Sequence, residues 1–116
     1  MERPGHENCP CMETCPLNRA LGLIGGKWKM QILCALSNNG PTRYNRLKKT
    51  LDGVSNTVLA NALRELEEDG LVLRREYLEV PVRVEYSPTD SCRELLPILE
   101  QLSDWAEQRM KQEEHA

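Results

Sequence analysis

The 116-residue sequence has no apolar run near the roughly 18 residues that a bilayer-spanning helix needs. Its first residues, MERPGHENCPCMETCP, have none of the basic-then-apolar order of a secretory signal, so the chain is expected to be cytoplasmic. It also lacks basic excess: 15 Lys and Arg stand against 18 Asp and Glu, a net charge of −3, which excludes a uniformly basic nucleic-acid coat. Histidine is nearly absent. His6 and His115 lie in the tails, where no pocket would position them, and this argues against an enzyme. Gly22-Leu23-Ile24-Gly25-Gly26-Lys27-Trp28 fails the spacing of a phosphate loop by one residue, and Trp28 stands where that loop needs a hydroxyl. The five cysteines are an odd number, which speaks against a disulfide framework. There is no internal repeat and no low-complexity tract.

What is present suffices for one domain with a core, since 40% of the residues are hydrophobic. The charge is strongly segregated. Residues 17–64 carry eight basic groups and one acid, Asp52, a net of +7, whereas residues 65–116 carry six basic groups and fourteen acids, a net of −8. One part of the domain can face phosphate while another faces away.

Hydrophobic periodicity divides the chain into a mobile arm over 1–14, a domain over 15–112 and a tail over 113–116. Pro16 suits the first turn of a helix flanked by Cys15, with Leu17, Ala20, Leu21 and Ile24 on one face and Gly25-Gly26 ending it. A second helix is expected from about Lys27 to Ser37, burying Trp28, Ile32, Leu33 and Leu36 and placing Cys34 near that buried stripe. Asn38-Asn39-Gly40-Pro41 reads as a turn. A third helix, about Arg43 to Leu51, packs Tyr44 and Leu47. Ser55 caps a fourth, about Asn56 to Asp69, which buries Leu59, Ala62, Leu63 and Leu66. Leu71–Glu79 and Val82–Tyr86 form a hairpin, and a last helix runs from about Asp90 to Lys111. Pro97 should bend or break that helix in its first turns.

This order predicts a mainly helical α+β fold, a winged helix-turn-helix with a two-stranded wing and a long C-terminal dimerisation helix. A helix that enters the major groove must offer small polar side chains on its N-terminal turns. The fourth helix does so with Asn56, Thr57, Ala60 and Asn61, with Ser55 before them and Arg64 one turn on, within reach of a base or phosphate. Arg43, Arg46, Lys48 and Lys49 suit phosphate contact, and Arg83 is expected to reach down from the hairpin tip.

The chain resembles the HxlR-type transcriptional regulators, a branch related to the MarR-type winged-helix proteins. The likeness is carried by Cys15-Pro16-Leu17, by Leu23-Ile24-Gly25-Gly26-Lys27-Trp28, and by Arg43-Tyr44-Asn45-Arg46-Leu47. Leu63 to Val72 (LRELEEDGLV), Val80 to Ser87 (VPVRVEYS) and Leu95-Leu96-Pro97 complete it. The resemblance implies a homodimer on a double-stranded DNA operator, with the first and last helices at the dimer interface. Leu17, Leu21, Leu95, Leu99, Leu102, Trp105 and Met110 are the apolar residues available for it. A two-fold dimer addresses half-sites roughly 34 Å apart. Where the family often carries a basic residue just after the fourth helix's cap, this chain has Asn56.

Several such regulators sense oxidants or electrophiles through a cysteine just before the first helix, and the resemblance gives that role to Cys15. The chemistry also stands by itself, because a helix N-terminus and nearby Arg19 favour a thiolate that a thiol-reactive effector could modify, while Glu13 opposes it. Cys92, at the start of the last helix, is a candidate resolving thiol. Cys9, Cys11 and Cys15 spell C-x-C-x3-C, so a metal-responsive regulator is the alternative, although paired C-x2-C units are absent. No cofactor is expected.

Overall fold

The computed structural model describes residues 15–114. Five helices and three strands follow one another as α1 (Pro16–Ile24), α2 (Lys29–Asn39), β1 (Thr42–Arg43), α3 (Tyr44–Thr50), α4 (Asn56–Glu68), β2 (Val72–Tyr77), β3 (Arg83–Pro88) and α5 (Asp90–Glu114). This is the winged helix-turn-helix order expected from the pattern of apolar residues and turns. The arm over 1–14, with Cys9 and Cys11, lies outside the described residues.

Several details differ from expectation. The expected two-stranded wing is present as the β2–β3 hairpin, and β1 adds a third strand to it that was not expected, giving a sheet in the order β1-β3-β2 with both pairs antiparallel. Thr42 faces Tyr86 and Arg43 faces Glu85, so β1 ties the start of α3 to the wing. The helix expected from Lys27 starts at Lys29, and Asn38 and Asn39 belong to its last turn rather than to a turn cluster. Of the bend or break expected at Pro97, the break is absent: α5 runs continuously through it and reaches Glu114, into the stretch read as the tail. Pro97 has no amide to donate to Arg93, yet the surrounding helix tolerates the missing bond.

Glycine is structurally required at two places, the Gly25-Gly26 pair and Gly70. A Cβ at Gly25 would sit 2.6 Å from the carbonyl oxygen of Leu21, so only glycine lets the chain leave α1 this tightly, and Gly26 follows at φ +97°. Gly70, at φ +79°, closes α4.

The core lies where α2, α3 and α4 meet the wing and the start of α5. Ile32, Leu33, Leu36, Leu47, Leu59, Leu63, Leu66 and Val72 are all essentially sealed from solvent. Thr89 joins two elements: its hydroxyl donates to the Gly70 carbonyl at 2.6 Å and accepts from the Cys92 amide at 3.2 Å, so it caps α5 against the end of α4. Beyond Leu99, α5 leaves this core, and Leu102, Trp105 and Met110 are at least half exposed.

Candidate nucleic-acid interface

Helix α4 begins where the sequence places it. The Ser55 hydroxyl accepts a hydrogen bond from the Val58 amide at 3.1 Å, satisfying one of the donors that a helix start leaves open. With Leu59, Ala62, Leu63 and Leu66 buried on one face, helical geometry turns Asn56, Thr57, Ala60, Asn61 and Arg64 outward, and all five are exposed. The Arg64 guanidinium donates to Asn61 Oδ1 at 3.4 Å and lies 3.6 Å from Glu68.

Helix α3 crosses beside this start. The Tyr44 ring packs on the core, and its hydroxyl donates to the Asn56 carbonyl at 3.1 Å with Asn56 Oδ1 at 3.3 Å. Arg43, Arg46 and Lys49 are exposed and Lys48 is half-buried. None of these four cations has a carboxylate partner among the described residues, so their charge is available to an external anion. Ten of the eleven expected contact residues thus lie on α3, α4 and the residues that open them, two helices that meet at Tyr44 and Asn56.

Arg83 is the exception. It does not hang from the hairpin tip as a spare cation. Its guanidinium bridges Glu79 at 2.9 Å and Glu85 at 3.1 Å and stacks 4.0 Å from the Tyr77 ring centroid, while its buried Nε has no acceptor among the described residues. The pairing follows from the strand register, which sets Arg83 directly opposite Tyr77, and from Glu79 lying four residues before it. The tip itself carries Leu78 and Val80, which are fully exposed. On β2, Arg74 donates to Glu76 at 3.3 Å, and the Tyr86 side chain holds its guanidinium still further into the charged form.

Sequence reasoning overlooked a third flank of α4. The link between α1 and α2 lies against it: Gly25, Gly26, Lys27, Trp28 and Lys29 share a cavity of about 290 Å³ with Val58, Asn61, Ala62 and Glu65. Lys29 Nζ is 2.8 Å from Glu65 Oε1, and this hydrogen-bonded cation holds the Glu65 carboxyl below its ordinary value of 4.5. The Lys27 ammonium sits 4.7 Å from the centroid of the Trp28 ring. The signal for this flank is a pair of lysines either side of a tryptophan, which linear spacing does not connect to α4.

The thiols lie in three different settings. Cys15 occupies the N-cap position of α1 and is 3% exposed. Cys34 is exposed although it was expected near the buried stripe of α2, because it lies two residues from both Ile32 and Leu36, about 200° round the helix from each. Cys92 is sealed in the core, where burial pushes its thiol up and so opposes the resolving role suggested by its place at a helix start. Among the described residues no three His, Cys, Asp or Glu side chains are grouped to hold a metal.

The residues expected at a dimer interface divide in two. Leu95 and Leu99 pack against the monomer core. Leu17, Leu21, Leu102, Trp105 and Met110 are 50–63% exposed, and Ile98 joins them at 61%. Among the described residues no helix is long and apolar enough to cross a membrane.

Comparison with known proteins agrees with this architecture. The HxlR-like helix-turn-helix family profile matches residues 23–114. An uncharacterized HTH-type transcriptional regulator of Halalkalibacterium halodurans is 47% identical over 94 residues, covering 81% of this chain and 83% of that protein. Among solved structures, the redox regulator HypR in its oxidized form is 39% identical, with a TM-score of 0.74 and coverage of 81% of this chain and 96% of that one. The reduced form of the transcriptional regulator YodB from Bacillus subtilis is 32% identical, with a TM-score of 0.75 and coverage of 82% and 93%. Family profile, sequence relatives and fold coincide over the same span as the α3–α4 surface and its wing, and the chain belongs to the HxlR-like helix-turn-helix family of DNA-binding transcriptional regulators.

Proposed function

We propose that the chain acts as a homodimer that reads a specific DNA operator through α4 and releases it when Cys15 reacts with an oxidant or electrophile. The observation that carries the DNA reading is the Ser55-capped start of α4. It turns Asn56, Thr57, Ala60 and Asn61 outward beside the unpaired cations of α3. Side-chain amides supply base-edge hydrogen bonds in the major groove, and the neighbouring cations supply phosphate contacts that fix register.

The exposed apolar residues of α1 and the distal half of α5 support a second copy as the dimer partner, since such a face is unusual on a monomer. The thiol response rests on the position of Cys15 and on the likeness to a redox regulator solved in its oxidized form and to YodB, of which a diamide-treated structure exists. A thiol only 3% exposed has no room for an added group, so modification there displaces the first turn of α1 and, through the dimer, the spacing of the two α4 helices.

The test is a mobility-shift titration with a duplex selected from a random-sequence pool by the wild-type protein. A specific shift at moderate salt is expected, lost after diamide treatment in the wild type and retained in Cys15→Ser. Absence of any selected duplex from a folded dimer removes the DNA reading. Equal release by wild type and Cys15→Ser removes the sensor.

A further inference from the structure

We propose that Lys27, in the link between α1 and α2, is a phosphate anchor for the strand running past α4, placed there by Trp28. The inference rests on the DNA-binding reading above and adds a contact from a part of the chain outside the helix-turn-helix pair.

The argument starts from the size of the groove. A major groove about 12 Å wide is filled by a helix about 10–12 Å across, so side chains flanking that helix meet the phosphate ridges rather than base edges. Helix α3 flanks α4 at Asn56 through Tyr44. The α1–α2 link flanks it elsewhere, along Val58, Asn61, Ala62 and Glu65, with which it shares a cavity. Asn61 is itself one of the outward-facing residues, so the link borders the reading surface directly.

The charges on this flank are unequal. Lys29 is mostly buried and committed to Glu65 at 2.8 Å, which cancels the one carboxylate that α4 contributes to this cavity. Lys27 is exposed, has no carboxylate partner among the described residues, and rests over the face of Trp28. The Trp28 ring is half-buried and packs against the core, so it offers a fixed platform for an otherwise mobile ammonium. The sum is one unneutralised positive charge, held in place at the rim of the DNA-facing surface. Lysine binds phosphate as a point charge and needs no further geometry.

The test measures operator affinity from 50 to 200 mM NaCl, using the duplex selected by the wild-type protein, for wild type, Lys27→Ala, Lys27→Arg and Lys111→Ala. Lys111, on α5, is the control, paired with Glu107 at 3.7 Å. Each anchored phosphate contributes about 0.9 to the slope of log affinity against log salt. For two protomers, Lys27→Ala is expected to lower that slope by about 1.8 and weaken binding by about five- to tenfold per contact at 0.1 M salt. Lys27→Arg should keep the wild-type slope, and Lys111→Ala should change nothing. A wild-type slope in folded Lys27→Ala overturns the anchor while leaving the DNA reading intact. Failure of the wild type to select any duplex overturns both.

Discussion

The Tyr44 hydroxyl donates a hydrogen bond to the Asn56 carbonyl at 3.1 Å, so a side chain of α3 holds the first residue of α4. Tyr44 is itself anchored because its ring packs on the core. The reading helix therefore takes its position from two neighbours, Ser55 within its own start and Tyr44 from the helix before it.

Removing only that hydroxyl separates positioning from packing. Tyr44→Phe should cost about 0.5–1 kcal/mol of stability in urea unfolding, since the hydroxyl's one proton, shared between two acceptors on Asn56, is exposed. Operator affinity should fall by more than this stability loss alone would cause, because the folded population barely changes while the start of α4 loosens. Unchanged affinity would mean that Ser55 alone sets the helix.

The cap itself has a predictable weight. Ser55→Ala should lower stability by about 1 kcal/mol and Ser55→Asp should restore most of it, because both Ser and Asp offer an oxygen to the Val58 amide. Chemical denaturation of the three proteins checks the order.

The Lys29–Glu65 pair gives a pH signature. The Glu65 carboxyl is held below its ordinary value of 4.5, first by the hydrogen bond from Lys29 and then by the lysine's charge. A depressed carboxyl stabilises the fold above its unfolded value and loses that contribution as pH falls through the folded value. Glu65→Gln should therefore melt below wild type at pH 7, and the gap should narrow as pH falls below the ordinary 4.5 and close once it has passed the lower folded value. A gap that persists at low pH would show that the pair acts by packing rather than charge.

The face of α5 beyond the core makes the association test. Replacing Leu102 and Trp105, 50% and 59% exposed, with serine removes apolar surface that the monomer does not use. Sedimentation should show a shift from dimer to monomer with the helical signal retained, and operator binding should weaken sharply because two half-sites are no longer bound together. A variant that stays dimeric would place the interface elsewhere.

Much of this was legible in the residues themselves, and the failures have physical causes. Leu59, Leu63 and Leu66 mark the buried face of α4 by spacing alone, and the same spacing forces Asn56, Thr57 and Asn61 outward. The strand β1 has two residues, too few to show alternation, and exists only because β3 pairs with it. Arg83 reads as a wing cation until the register sets it opposite Tyr77 and between two glutamates, a relation that no linear spacing carries. Cys34 sits between two buried pairs in sequence yet on the far side of the helix, which a looser reading of the stripe missed. Lys27 reads in sequence only as the start of a helix, because the surface it borders belongs to a helix about thirty residues away.

The most direct measurement of the central claim, that α4 reads DNA sequence, compares the base preferences of wild type and Asn61→Ala by selection from a random-sequence duplex pool. Asn61→Ala should lose discrimination at one position in each half-site, by about 1–3 kcal/mol, and keep the remaining positions unchanged. An Asn61→Ala protein that binds the same sequences with the same preference at every position, with Asn56→Ala behaving likewise, would contradict it.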